Sequence, residues 1–140
     1  MSGLTDYIHL LERLDRSNLE QLRAVLSEDV FFSDPFNQVN GADAYLALLS
    51  EMFERLDSVS FTVHDSQQQD AVAYLYWTFS GHSGVTGWLN FQGSSRLTFD
   101  VSGKIDRHQD FWDSADLYEK VPVLGALFRW LRRQVAFREQ

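Results

Sequence analysis

The sequence runs to 140 residues, room for one domain and too few for two of ordinary size. With 44% hydrophobic, 14% aromatic and 23% charged residues, it has enough bulk to fill a core and line a cavity, and disorder is excluded. A net charge of −8 argues against general nucleic-acid binding, and the absence of cysteine excludes disulfides, thiolate metal ligands and cysteine nucleophiles. No apolar run approaches the roughly 20 residues that span a bilayer. Met1 to Asp15 lacks the basic start and apolar centre of a secretory signal. The expectation is a cytoplasmic single domain over residues 1–140.

From Leu4 to Leu26 apolar residues recur at helical spacing, interrupted at Asp15-Arg-Ser-Asn18, which predicts two short helices with a tight corner. Asp29 to Ser33 is β-prone and ends at Asp34-Pro35, because proline pushes the preceding residue out of the helical region. After Gly41, Ala42 to Leu56 reads as a third helix with Tyr45, Leu48, Leu49, Met52, Phe53 and Leu56 on its apolar stripe. The period then changes to two. Val59, Phe61 and Val63 alternate, and Gln67 to Gln69 read as a polar turn. Ala71 to Phe79 is a strand, with Ala73, Leu75, Trp77 and Phe79 on one face and Tyr74, Tyr76 and Thr78 on the other. Gly81 to Gly87 is a hairpin connection. Trp88 to Asp100 and Ile105 to Trp112 form an antiparallel pair around the turn Val101 to Lys104. Ala115 to Tyr118 and then Val123 to Phe137 are helical, with Pro122 opening the second piece. Helices and strands are segregated, so the class is α+β. The expected form is a strongly curved antiparallel sheet packed against three N-terminal helices, with a cone-shaped pocket between them and residues 115–140 as a helical extension.

Three sets of residues carry possible chemistry. Asp34 either caps a turn, as aspartate before proline commonly does, or acts as a general base in an apolar setting made by Phe32 and Phe36. His108, Asp110 and Trp112 alternate on the last strand and so face one way, with Asp106 joining them nearer the turn. They form either an imidazole–carboxylate acid/base pair or a polar ladder with Ser95 on the neighbouring strand. Trp77 and Phe79, with Phe91, Leu97 and Phe99 on the next strand, are either filled core or a cavity wall. The small Gly93 and Ser95 among them leave room for an apolar ligand. His9, His64 and His82 have no metal-ligand spacing, and His82-Ser83 between glycines reads as a hairpin tip, so no metal site is expected. The tail helix, with Leu124, Leu127, Phe128, Leu131 and Val135 on one face and Arg129, Arg132 and Arg133 around it, either packs across the pocket mouth or docks on a surface.

Ser27 to Phe36 leading to Gly41, and Phe99 to Asp113 with its Gly103-Lys-Ile and Asp110-Phe-Trp-Asp113, resemble the nuclear transport factor-like superfamily. That superfamily includes ketosteroid isomerases and SnoaL-like polyketide cyclases. The resemblance implies a base at Asp34 and pocket lining at Phe36, Trp77, Phe79 and Trp112. It also implies that Leu10 and Ser95 replace the two donors of the isomerase oxyanion hole, so steroid isomerisation by that route is not expected. Gly103 to Asp110 is similar to a stretch of the limonene epoxide hydrolases, but Trp77 and Phe79 replace the Arg and Asp those enzymes need. Like the SnoaL-like cyclases, the chain has an acid/base pair to offer in His108 and Asp110. The expectation is a small-molecule-binding protein with an apolar pocket lined by Phe32, Phe36, Trp77, Phe79, Phe91, Ser95, Phe99 and Trp112. It is either a cofactor-free acid/base enzyme (isomerase, cyclase, dehydratase or hydrolase type) acting through Asp34, His108 and Asp110, or a non-catalytic binding or interaction module. The family implies a homodimer through the outer sheet face, where Tyr74, Tyr76 and Thr78 lie.

Overall fold

The computed structural model describes residues 3–121 and 124–136. Helix α1 (Gly3–Glu12) is followed by a short 3-10 helix, Leu19–Ala24. Strand β1 (Leu26–Ser33) turns into the three-residue β2 (Gln38–Asn40), and α2 (Ala42–Arg55) follows. Three long strands come next, β3 (Asp57–Gln69), β4 (Val72–Ser83) and β5 (Gly87–Phe99), then β6 (Ile105–Trp112). Helices α3 (Ala115–Tyr118) and α4 (Leu124–Val135) end the chain.

The strands form one open six-stranded sheet in the order β2-β1-β6-β5-β4-β3. Four of its five pairings are antiparallel, but β1 runs parallel to β6, so the sheet is mixed. The parallel pair follows from chain order: β1 enters before the meander, and α2 carries the chain across to begin β3 at the far edge. Each hairpin has its own turn chemistry. Asp70 takes φ 55° between β3 and β4, while Gln67 to Gln69 are paired with Val72 to Tyr74. The glutamine run is thus strand, and the turn falls one residue later. Between β5 and β6, Asp100 accepts hydrogen bonds from the backbone N–H groups of Ser102 and Lys104, and Gly103 adopts φ 85°. These bonds hold the Asp100 carboxyl below its usual pKa, with the Ser102 hydroxyl as the largest contributor.

α1 and α2 lie against one face of the sheet. At one end the space between the layers is filled by Tyr7, Leu22, Leu26, Val30, Leu97 and Ile105, all essentially inaccessible. Burying a side chain of this size stabilises the fold by about 1.5–3 kcal/mol. On the opposite face Tyr74 and Tyr76 stand 54% and 38% exposed. Among the described residues of the tail, Arg132 pairs with Asp113, Asp116 and Glu119 and Arg129 donates to the Glu119 carbonyl, while Leu127, Leu131 and Val135 are exposed. Pro122, Val123 and Phe137, and the side chains of Leu124 and Phe128, lie outside the described residues. None of the described side chains of α4 borders the cavity at the other end of the layers, so they do not form a cover across its mouth.

Candidate active site

Strand alternation sets the floor of the site. His108, Asp110 and Trp112 project from β6 into the space between the layers, and Phe111 points the other way, 57% exposed. Opposite them on β5 are Leu97, Ser95 and Gly93 in turn. Asp106 does not join this row. The register slips next to the β5–β6 turn, and its carboxylate takes the hydroxyl of Thr98 instead.

A connected set of hydrogen bonds runs through these residues. The indole N–H of Trp77 donates to Ser95 Oγ at 2.8 Å, and that hydroxyl donates to Asp110 Oδ1 at 2.5 Å. His108 Nε2 lies 2.6 Å from the same oxygen. A carboxylate oxygen can only accept, so Nε2 carries a proton, and in the tautomer with that single ring proton Nδ1 is an acceptor. The Tyr7 hydroxyl, 2.6 Å away, donates to Nδ1, and Tyr45 donates to Tyr7 at 2.8 Å. Tyr7, Tyr45, Ser95 and His108 are all at most 3% exposed. Burial, then the neighbouring phenol and Asp110, raises the Tyr7 pKa well above that of a free phenol. Burial and the negative charge of Asp110 raise Tyr45 as well. Both therefore remain neutral hydroxyl donors. The side chain of Asp110 keeps 19% exposure, and among the described residues its Oδ2 has no hydrogen-bond partner.

Above this floor is a cavity of about 770 Å³, a size that suits a small organic ligand. Phe32, Phe36, Trp77, Phe79, Phe91 and Trp112 border it, together with Asp34, His108 and Asp110. Phe91 stacks on Trp112 at 4.6 Å between centroids, and Phe79 on Phe91 at 5.2 Å. Two expected lining residues are elsewhere. Phe99 sits at the filled end, near Gly3 of α1, because the cavity closes at Leu97. Ser95 lies beneath the floor and reaches the cavity only through Asp110. Gly93 does leave room, but the Trp77 indole occupies it: a Cβ on Gly93 would lie 2.5 Å from that ring. The missing side chain lets Trp77 lie across β5 and reach Ser95.

Asp34 lies at the cavity wall with its carboxylate engaged in a turn. Oδ1 accepts the backbone N–H groups of Phe36 and Asn37 at 2.8 and 2.7 Å, and Asn37 Nδ2 at 3.1 Å. Its apolar setting is half of that expected, since Phe32 is buried but Phe36 is 45% exposed. The α2 stripe of Tyr45, Leu48, Leu49, Met52 and Phe53 forms the opposite wall. Tyr7 and Tyr45 are the functional candidates that spacing alone passes over. Their signal is a tyrosine inside an otherwise aliphatic stripe, where a buried hydroxyl must find a partner. Leu10 offers no donor, but Tyr7 one turn earlier supplies a hydroxyl to the back of His108.

An open mixed sheet covered on one face by helices, with a cavity between, is the nuclear transport factor-like fold, and solved structures agree. An LEH-like epoxide hydrolase from M. tuberculosis superposes with a TM-score of 0.68 at 17% identity, over 94% of this chain and 93% of that one. A protein of ketosteroid isomerase-like fold from Catenulispora acidiphila, in complex with trimethylamine, gives 0.73 at 12% identity over 85% and 91%. A nuclear transport factor 2-like protein from Burkholderia pseudomallei gives 0.74 at 12% identity over 86% and 95%. The sequence profile of the SnoaL-like domain matches residues 7–108, and the chain belongs to that family. No curated protein matches the sequence.

Proposed function

We propose that the protein binds a small, largely apolar organic molecule in this cavity and performs cofactor-independent acid/base chemistry on it, of isomerase, cyclase, dehydratase or hydrolase type. The observation that carries this reading is Asp110. One carboxylate oxygen is fixed by Ser95 and His108, and the other is left toward an aromatic cavity. A base needs this combination of fixed orientation and a free lone pair. His108 positions the carboxylate, and Tyr7 and Tyr45 fix the imidazole tautomer from behind. Asp34 serves the same pocket from the mouth, where its carboxylate holds the β1–β2 turn. The trimethylamine complex of the Catenulispora protein supports small-molecule binding by this fold. Exposed Tyr74 and Tyr76 support pairing through the outer sheet face.

The test is a thermal-shift and turnover screen with lactones, epoxides, steroids and polyketide-like aromatics, repeated on Asp110→Asn. A ligand at 100 times its dissociation constant adds about 2.7 kcal/mol of stability, which is easily seen. Turnover of any substrate should fall by about 10²–10⁴ in the variant. Undiminished turnover in Asp110→Asn overturns the assignment. Ligand binding with no turnover in the parent leaves a binding module.

A further inference from the structure

The charge and hydrogen-bond balance of the cavity bears on which ligand it takes, granted the reading above that it takes one. Its lining includes four carboxylates, those of Glu12, Asp34, Glu51 and Asp110, and one guanidinium, Arg55. Arg55 pairs with Glu51 at 2.5 Å and Asp110 faces the imidazole of His108, so Glu12 and Asp34 have no basic side chain against them among the described lining residues. Their field reaches the floor: the negative charges of Asp110 and Asp34 both help to hold the proton on Tyr45.

The donors that would stabilise a negative ligand are already used. The hydroxyl of Tyr45 goes to Tyr7, the indole N–H of Trp77 to Ser95, and the imidazole N–H of His108 to Asp110. Among the described side chains at the floor, the indole N–H of Trp112 is the donor left over, and it is neutral. An enolate or other oxyanion needs preorganised donors aimed at its charge, and here it would meet carboxylates. Positive charge meets the opposite. Asp110 offers a free oxygen, and two residues along the same strand face the ring of Trp112 is stacked on Phe91. Phe91 is stacked on both Trp112 and Phe79, so these rings form an apolar wall that keeps water away and strengthens the pull of the carboxylate on a cation.

We propose that the cavity selects an apolar ligand bearing a positive charge, a tertiary or quaternary ammonium group, seated at the free oxygen of Asp110 beside the aromatic wall of Phe91 and Trp112. Three probes of one shape test this: benzyltrimethylammonium, its carbon counterpart neopentylbenzene, and phenylmethanesulfonate, with binding followed by calorimetry and by chemical shifts of the indole protons. The ammonium should bind at least tenfold more tightly than the neutral probe, and the sulfonate more weakly than both. Asp110→Asn should remove most of that preference while leaving the neutral affinity in place. If the Asp110 variant does not fold, salt serves the same purpose in the parent: added salt should weaken the cation and leave the hydrocarbon unchanged. Equal affinity for the cation and the hydrocarbon, or a preference for the sulfonate, overturns the charge selection and leaves small-molecule binding intact. Failure of all three probes alongside hits from the lactone, epoxide and steroid screen also overturns it alone. Failure of every compound overturns both.

Discussion

Six residues of β5 face the helices in alternation: Leu89, Phe91, Gly93, Ser95, Leu97 and Phe99. Two regions of the molecule meet along this single row. At Leu97 the layers are packed solid, with Leu22, Val30 and Ile105 around a side chain that has no accessible surface. At Phe91, about 20 Å along the strand from Leu97, the same face borders a cavity of about 770 Å³. Alternation, strand and β-propensity are common to both, so none of them decides which region is hollow. Coverage decides it. α1, the 3-10 helix and the first turns of α2 bring Tyr7, Leu22 and Tyr45 down onto the filled end. Over the open end α2 presents Leu48, Met52 and Phe53 across a gap.

That contrast predicts unequal responses to the same kind of truncation. Leu97→Ala removes a fully enclosed side chain and should cost about 2–5 kcal/mol, because the surrounding side chains cannot collapse into the space. Phe91→Ala deletes more atoms but borders an existing hollow, and should cost less than Leu97→Ala, below about 2 kcal/mol. Urea unfolding of the two variants measures the difference directly. Equal losses would show that the open end is packed in solution, and the contrast would fail.

Much of this was legible in the sequence. β6 is predicted with its observed limits, and the row of His108, Asp110 and Trp112 follows from alternation alone. The parallel β1–β6 pairing and the short β2 were not legible, since three residues carry too little pattern and pairing partners far apart in sequence leave no local trace. Gly93 shows how a correct local observation can be assigned the wrong cause. Its smallness marks a close approach, but only the structure shows that the space belongs to Trp77. The Asp106 placement failed for a similar reason, because a one-residue slip in register turns a strand residue to the other face.

The boundary between the two regions is the hydrogen-bonded chain itself, and removing one hydroxyl probes it. Tyr7→Phe leaves the buried Nδ1 of His108 without its donor at 2.6 Å, and Tyr45, 3.5 Å away, is poorly placed to replace it. The expected loss is about 1–3 kcal/mol at neutral pH. The pH dependence has a definite sign. Both phenols hold their protons more tightly in the folded state than in the unfolded chain, where they ionise near pH 10. Above that pH the unfolded state binds fewer protons, so the contribution of these two groups to stability is constant below about pH 10 and falls beyond it. The Tyr7→Phe and Tyr45→Phe variants should start less stable and show a shallower alkaline decline. A parent whose stability is flat to pH 12 would mean that these hydroxyls are not sequestered.

The smallest effect is expected at the mouth, from Asp34→Asn. The amide keeps an oxygen where Oδ1 now accepts the N–H groups of Phe36 and Asn37, so the turn should survive with a change within about 0.5 kcal/mol. What the substitution removes is charge and basicity, leaving the geometry of the turn nearly unaltered. Turnover that persists in Asp34→Asn and vanishes in Asp110→Asn assigns proton transfer to the floor of the cavity, where the hydrogen-bonded chain ends. Turnover lost in Asp34→Asn at unchanged stability moves the reacting atoms to the mouth, and makes the buried chain a support for the cavity wall.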